Sequence, residues 1–239
     1  MTKWPNQYQM TQFERVFVWL GGAAFAGSLV VCAYAFAFLW SRVEAVPIRA
    51  VWHTTLADAT LFAVFAAHHS IFARDSIKTW ISRRVPARLI RSVYVWTASL
   101  LLVLVVLAWQ PIGGDFYHAT GWTRYGHAGV QLAGVWLIAH SVRVIDALEL
   151  AGIHSNGGPA SLQIAGPYRF VRHPLYLGWM LIVFATAHMT GDRATFAAVT
   201  TIYLMIAMPW EERSLDRTFG VDYARYKQQV PWRVIPFVY

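Results

Sequence analysis

Residues 13–40 read FERVFVWLGGAAFAGSLVVCAYAFAFLW, and this stretch decides the class of fold. After Glu14 and Arg15 it contains no charged residue. Its length exceeds the roughly 20 apolar residues that a helix needs to cross the hydrocarbon layer of a bilayer. Further runs of this kind approach or reach that length at 52–72, 90–109, 126–145, 175–189 and 194–210. The sequence therefore predicts an all-α, polytopic membrane helix bundle of about six spans.

The composition supports this class and excludes others. Hydrophobic residues make up 57% of the chain and charged residues only 13%, which does not fit a soluble globular domain. Basic residues that bind anionic lipid headgroups explain the net charge of +8. A nucleic-acid-binding protein would not consist of apolar runs. Cys32 is the one cysteine, so neither an intrachain disulfide nor a thiolate metal cluster is expected. We expect membrane lipids as partners, no nucleic acid and no metal site.

The distribution of Lys and Arg predicts the orientation in the membrane. Six spans place both termini on one side, and that side then holds 16 of the 20 basic residues. Basic residues favour the cytoplasmic side of a membrane. We therefore expect an integral protein of a bacterial inner membrane with both termini in the cytoplasm. The basic residues on the other side are Arg42, Arg49, Arg124 and Arg193.

Polar residues inside an apolar span are costly and indicate a functional site or a buried pair. Asp58 lies well inside the second run, where pairing with a neighbouring helix would explain it. His68, His69 and Ser70 lie at the end of the same run. Hydrogen bonding to helix ends or headgroups is the structural alternative for the two histidines. Adjacent residues point about 100° apart on a helix, so only one of them can face a given pocket squarely.

The sequence GPYRFVRHPLYLG at 166–178 leads into the fifth run. Pro174 suits the first turn of a helix, and the N–H groups of that turn favour an anionic group such as a carboxylate. Arg172, His173 and Tyr176 add polar side chains at the same place. Gly178 allows another backbone or a flat ligand to approach closely. This cluster predicts a ligand site at one mouth of the bundle.

Two adjacent carboxylates, Glu211 and Glu212, follow the sixth run. Acidic residues are poor ligands for anionic headgroups, so they indicate a cationic or diol ligand, or ion pairs with nearby arginines. Residues 219–227 then have the pattern of an amphipathic interfacial helix, followed by an extended tail at 230–236.

In this order, the motifs resemble the isoprenylcysteine carboxyl methyltransferase superfamily. The resemblance rests on GPY at 166–168, RHPxYxG at 172–178, the acid pair, FGxxYxxY at 219–226 and VP at 230–231. Residues His68-His69-Ser70, Ala73-Arg74, Lys78, Trp80, Pro86, Arg91-Ser92 and Trp109-Gln110-Pro111 are similar to the branch of methanethiol S-methyltransferases and NnrU-like proteins.

The resemblance implies an S-adenosylmethionine-dependent methyltransferase in one integrated domain. Helices 1–4, within residues 1–150, would form the acceptor pocket, and residues 151–239 would form the cofactor site. The break between them is expected near 152–166, at His154-Ser155-Asn156-Gly157-Gly158-Pro159. The implied cofactor residues are Tyr168, Arg172, His173, Pro174, Tyr176, Glu211 and Glu212.

One departure from the superfamily bears on the acceptor. The isoprenylcysteine members have an arginine just before the acid pair, whereas this chain has Ile206-Ala207-Met208-Pro209-Trp210. A small or lipophilic thiol fits better, and it needs a base, for which a histidine is suited. His68 and His69 are the candidates, and His140 is a weaker one. The alternatives are a carboxylate or lipid-amine methyltransferase, and a non-enzymatic accessory protein whose histidines bind metal or haem.

Overall fold

The computed structural model describes residues 10–44, 47–72, 74–145, 147–153 and 161–239, without the side chains of residues 48, 75, 76 and 149. The expected helix break at 154–159 lies outside these residues. The described part is mostly helical. Its helices are α1 (Gln12–Ala37), α2 (Ile48–Phe72), α3 (Asp75–Ile81), α4 (Ala87–Ala108), α5 (Thr123–Ile145), α6 (Ala147–Leu150), α7 (Pro174–Phe184), α8 (Gly191–Phe219) and α9 (Val221–Gln229).

Helices α1, α2, α4 and α5 are each long and apolar enough to cross a membrane. These segments extend over Gln12–Ser41, Arg49–Phe72, Ala87–Ala108 and Thr123–Ile145, and they match the first four predicted runs. Helix α1 begins with a capping box, in which the Thr11 hydroxyl accepts from Glu14 N–H and the Glu14 carboxylate accepts from Thr11 N–H. The described part is thus a mostly helical structure with four candidate membrane spans, which is consistent with the predicted polytopic bundle.

The last two runs fold differently from the prediction. The fifth run was expected to be helical to Met189, but α7 has 11 residues and ends at Phe184. Strand β2 (His188–Thr190) follows and pairs antiparallel with β1 (Asp115–His118), so a two-stranded sheet accompanies the helices. Helix α8 has 29 residues and continues through the acid pair to Phe219. Pairing with β1 satisfies backbone groups after α7, which a sequence pattern of apolar residues does not reveal.

Helices α5 and α7 pack with their backbones in close approach. A Cβ atom on Gly178 would lie 2.9 Å from the Gly134 carbonyl oxygen, and one on Gly134 would lie 2.7 Å from the Gly178 oxygen. Small residues allow helices in a membrane to pack this closely. Gly178 therefore serves the approach of another backbone, one of the two roles predicted for it.

Two residues at the start of α8 form hydrogen bonds with other segments at one end of the bundle. Asp192 is 1% exposed and accepts hydrogen bonds from Trp109 Nε1, Ile112 N–H and Gly113 N–H, all just after α4. Arg193 is also buried, and its guanidinium donates to carbonyl oxygens near the end of α1 and in β2, namely those of Phe36, Ala37 and His188. We call Asp192, Arg193 and their partners the α8 anchor. It joins α1, α4 and α8.

Candidate active site

The 166–178 motif meets the C-terminal tail at the opposite end of α8. A 3-10 turn, Gly166–Arg169, precedes α7. Pro174 occupies the first turn of α7, as expected. The N–H groups of Arg172 and His173 donate to the carbonyl oxygens of Trp232 and Arg233 at 3.0 and 2.8 Å. The extended tail thus pairs with the residues immediately before α7.

Glu212 is at the centre of a buried ion-pair cluster. Its carboxylate accepts from Arg172 Nε at 2.7 Å and Arg233 Nε at 3.2 Å, and it lies 3.3 Å from His173 Nε2. Burial raises the pKa of Glu212, but hydrogen bonds from His173 and Arg172 and the charges of Arg172 and Arg233 outweigh it and hold the pKa at about 2. Glu212 is therefore an anion at neutral pH that fixes the tail to α7 and α8.

Glu211 has a different environment from its neighbour. Its side chain is 48% exposed, and it accepts a hydrogen bond of 2.6 Å from the Tyr176 hydroxyl. The ring of Tyr176 stacks on that of His173, with centroids 5.1 Å apart, and His173 Nδ1 lies 3.7 Å from the Glu211 carboxylate. This carboxylate is the accessible one of the pair, so it has acceptor capacity for a ligand.

Aromatic side chains from α9 complete this end. Tyr226 donates to the carbonyl oxygen of Tyr168 at 2.7 Å, and both tyrosines are buried. The Tyr223 hydroxyl is buried and has no hydrogen-bond partner among the described residues. A buried hydroxyl without a partner is costly and indicates a place where a ligand or water can bond.

His68 and His69 differ in their partners. The Tyr94 hydroxyl of α4 hydrogen-bonds Nδ1 of His69 at short distance and lies 3.4 Å from Nε2. His68 stacks on the Tyr94 ring with centroids 5.5 Å apart and packs on Phe72. Both ring nitrogens of His68 are buried without a hydrogen-bond partner among the described residues. One imidazole is thus oriented by a tyrosine, and the other lies in an aromatic surround.

Tyr203 of α8 links this histidine cluster with the acid pair. Its hydroxyl lies 3.4 Å from that of Ser70, and its ring packs edge-on against His69. The Glu211 carboxylate interacts electrostatically with His69, Tyr203, Tyr176 and Tyr168. The structure therefore brings residues 68–70, the start of α7 and the acid pair to one end of the bundle. His140 stacks on Trp136 and lies beside Gly166, at the start of the 166–178 motif.

Sequence reasoning missed Tyr94, Tyr203 and Arg233 as members of this region. Tyrosines in apolar helices are ordinary packing residues, and no spacing relates Tyr94 to His69. Arg233 lies in a short tail of basic and aromatic residues, and the sequence of this tail does not indicate that Arg233 pairs with Glu212. Arg91-Ser92, quoted in the motif, is the one sequence signal close to Tyr94.

Residues 126–222 match the family described as phospholipid methyltransferase. The match extends from α5 to the start of α9, so it contains the 166–178 motif and the acid pair. An integral-membrane methyltransferase is the class that these observations define. No solved structure matches the chain.

The chain belongs to the methanethiol S-methyltransferase family within this class. It is 32% identical to a methanethiol S-methyltransferase of Crocosphaera subtropica, with 94% of each chain covered. It is 34% identical to methanethiol S-methyltransferase 1 of Bradyrhizobium diazoefficiens, covering 92% of this chain and 84% of the relative. A relative in Mycobacterium tuberculosis, also named methanethiol S-methyltransferase, is 34% identical over 89% of this chain and 94% of its own length.

Proposed function

We propose that this membrane methyltransferase transfers the methyl group of S-adenosylmethionine to methanethiol or a similar small thiol. The names of relatives that are similar to this chain over most of their length support this acceptor. The single structural observation that carries the proposal is the position of Glu211. This half-exposed carboxylate lies between the 172–176 cluster and the histidines at 68 and 69.

We assign different roles to the predicted cofactor residues. Tyr168, His173, Tyr176 and Glu211 contact the cofactor. The Tyr223 hydroxyl, which has no hydrogen-bond partner in the part of the chain that the structure describes, provides a further hydrogen-bonding group. Arg172 and Glu212 already bond each other, and Arg172 Nη1 also donates to the carbonyl oxygens of Val230 and Pro231. They hold the tail over the site, while Pro174 begins α7. The bound cofactor supplies an electrophilic methyl group on a sulfonium.

His69 accepts the thiol proton, and Tyr94 positions it. The S–H bond breaks and its proton passes to the His69 imidazole. The bound cofactor would supply the methyl group to the thiol sulfur, its methyl–sulfonium bond would break, and S-adenosylhomocysteine would be the leaving group. His68 lines the acceptor pocket beside His69, stacked on the Tyr94 ring. The aromatic rings of Phe72 and Tyr94 exclude water and suit a small apolar acceptor. Positioning of the two reactants and exclusion of water contribute to the rate.

We further propose that α7 and α8 complete a six-span bundle whose site end faces the cytoplasm of a bacterial inner membrane. The 16 to 4 distribution of basic residues supports this orientation. One of the four exceptions, Arg193, is accounted for by its bonds in the α8 anchor. The cofactor, which is soluble, then enters from the same side as the tail.

Calorimetric titration of the detergent-purified protein with S-adenosylhomocysteine tests the cofactor site. We expect micromolar binding that is lost in His173→Ala and in Glu211→Ala. Asp222→Asn, which removes an exposed carboxylate on α9, is the control and should bind normally. The absence of binding to folded wild-type protein would contradict the proposal and favour an accessory membrane protein. Turnover with methanethiol, compared with carboxylate and amine acceptors, then tests the thiol.

A further inference from the structure

The C-terminal residues form a closed loop after α9. The N–H groups of Val234 and Ile235 donate to the main-chain oxygen of Tyr239 at 2.8 and 3.0 Å. The Tyr239 N–H donates to the Ile235 carbonyl oxygen at 3.0 Å, and Arg233 Nη1 donates to the Tyr239 hydroxyl at 2.7 Å. We call residues 232–239 the tail loop. Its bonds give it a defined shape, so each side chain has a fixed direction.

The tail loop has a buried face and an exposed apolar face. Val234 is buried, whereas the exposed fractions of Ile235, Phe237 and Val238 are 43%, 84% and 73%. Phe237 has a φ of 64°, in the left-handed region that residues with a bulky side chain rarely adopt. An uncommon backbone conformation that leaves a phenyl ring exposed indicates a contact made by that ring. Neighbouring apolar side chains exposed in this way indicate an apolar partner.

Contacts of α8 place the tail loop at the depth of the membrane surface. The candidate span in α2 ends at Phe72, and the guanidinium carbon of Arg74 lies 6.0 Å from the ring centroid of Trp210. Trp210 is exposed, and exposed tryptophan beside arginine is typical of the membrane–water interface. Glu212 is about 3 Å further along α8 and accepts the Arg233 bond. The tail loop therefore lies at the level of the lipid headgroups.

The composition of the tail loop fits a lipid surface. Residues 230–239 contain one charged side chain, that of Arg233, and no acidic one. Anionic headgroups attract such a segment, and aromatic and aliphatic side chains enter the boundary between headgroups and acyl chains. We propose that Ile235, Phe237 and Val238 insert into this boundary and that the insertion holds the tail loop against α7 and α8. The inference does not depend on methyl transfer or on its acceptor.

Fluorescence quenching locates the tail loop relative to the bilayer. In a Cys32→Ser background, which removes the one native cysteine, Phe237→Cys carries a nitrobenzoxadiazole label in nanodiscs that hold one protein copy. Asp222→Cys, at an exposed residue of α9, is the matched control. We expect a nitroxide on a phospholipid to quench the label at 237, with loss of quenching by aqueous iodide. Iodide should quench the label at 222.

Val238→Cys reports on the same surface if the variant at 237 does not fold. Quenching of the label in the tail loop by iodide, as at 222, would overturn the proposal, because the loop would then lie in water. Protection from both quenchers would also overturn it, because protein and not lipid would then cover the loop.

Hydrogen exchange tests whether the bilayer holds the tail loop in place. The N–H groups of Arg172 and His173 donate to carbonyl oxygens of the tail loop, so their exchange reports on its position. Val238→Ser in nanodiscs should speed this exchange about tenfold, the factor expected when one aliphatic side chain loses its burial. Val221→Ser changes a similarly exposed valine of α9 and should leave the exchange unchanged. Equal exchange in the wild type and in Val238→Ser would overturn this part of the proposal.

Discussion

The two ends of the helix bundle each hold a buried carboxylate, but they satisfy it with different partners. At the site end, Glu212 is bonded by the cationic side chains of Arg172 and Arg233 and lies against His173. In the α8 anchor, Asp192 is bonded by an indole N–H and two backbone N–H groups. The first cluster leaves its neighbour Glu211 half exposed, whereas the second is closed. The accessible Glu211 fits the proposal that the site end binds the cofactor, whereas the α8 anchor holds helices together.

The largest effect is expected for His69→Ala at the site end. Loss of the proposed base should lower turnover with methanethiol about 10²–10⁴-fold, with S-adenosylhomocysteine affinity nearly unchanged. Steady-state kinetics and calorimetry on the same preparation measure the two quantities. His140→Ala, which removes the weaker candidate base, is the comparison variant. A larger loss in His140→Ala than in His69→Ala would contradict the assignment of the base.

Arg193→Ala should destabilise the end of the bundle that holds the α8 anchor without changing the cofactor affinity. It removes the donors of three carbonyl oxygens in a buried place, and we expect a loss of about 3–5 kcal/mol in the free energy of unfolding. Denaturation in detergent measures this loss, and the folded fraction should keep its cofactor affinity. Arg124→Ala, at an exposed residue whose guanidinium contacts Tyr125, should change stability by less than about 0.5 kcal/mol. Equal losses in both variants would refute the role of the anchor.

Tyr94→Phe sharpens the description of the site end with a smaller effect. The substitution removes the Tyr94 hydroxyl that orients His69, so kcat should fall about tenfold. The KM for the thiol should change little, since the ring that packs on His68 remains. A purely structural role would lower the unfolding temperature instead and leave kcat unchanged in the folded protein.

Glu212 makes the stability of the site end depend on pH. Its pKa is lowered from 4.5 to about 2, so its stabilising contribution is complete above about pH 4.5 and is lost as the pH falls through about 2. We expect Glu212→Gln to unfold at a lower temperature than wild type above pH 4.5, with the difference shrinking in acid. Thermal unfolding between pH 2 and 7 measures it. A difference that persists unchanged at pH 2 would contradict the ion-pair account.

Much of the bundle could be predicted from apolar length alone. The four runs that became α1, α2, α4 and α5 were located to within four residues, because a spanning helix needs a long segment without charges. The predicted end of the fifth helix was wrong, since residues 188–190 pair with a strand that lies far away in sequence. Local composition does not report such pairing.

The candidate site was located in part. Residues 172–176 and the acid pair were predicted together, and the structure places Glu211 against Tyr176 and Glu212 against Arg172 and His173. The roles of these residues, like those of His68 and His69, remain predictions. Arg233 and Tyr94 were missed, because their contacts join distant segments and follow no spacing rule.

By itself, the sequence determined that this chain needs a bilayer, which segments are apolar helices, and which short motifs hold polar groups near their ends. These properties depend on the residues within one segment and on the solvent that they require. Only the tertiary structure decided that Glu212 is buried and Glu211 accessible, that Tyr94 orients His69, and that one oxygen of Asp58 has no hydrogen-bond partner among the described residues. Burial and pairing of a charged group depend on the helices packed around it, and adjacent residues on one helix face different neighbours.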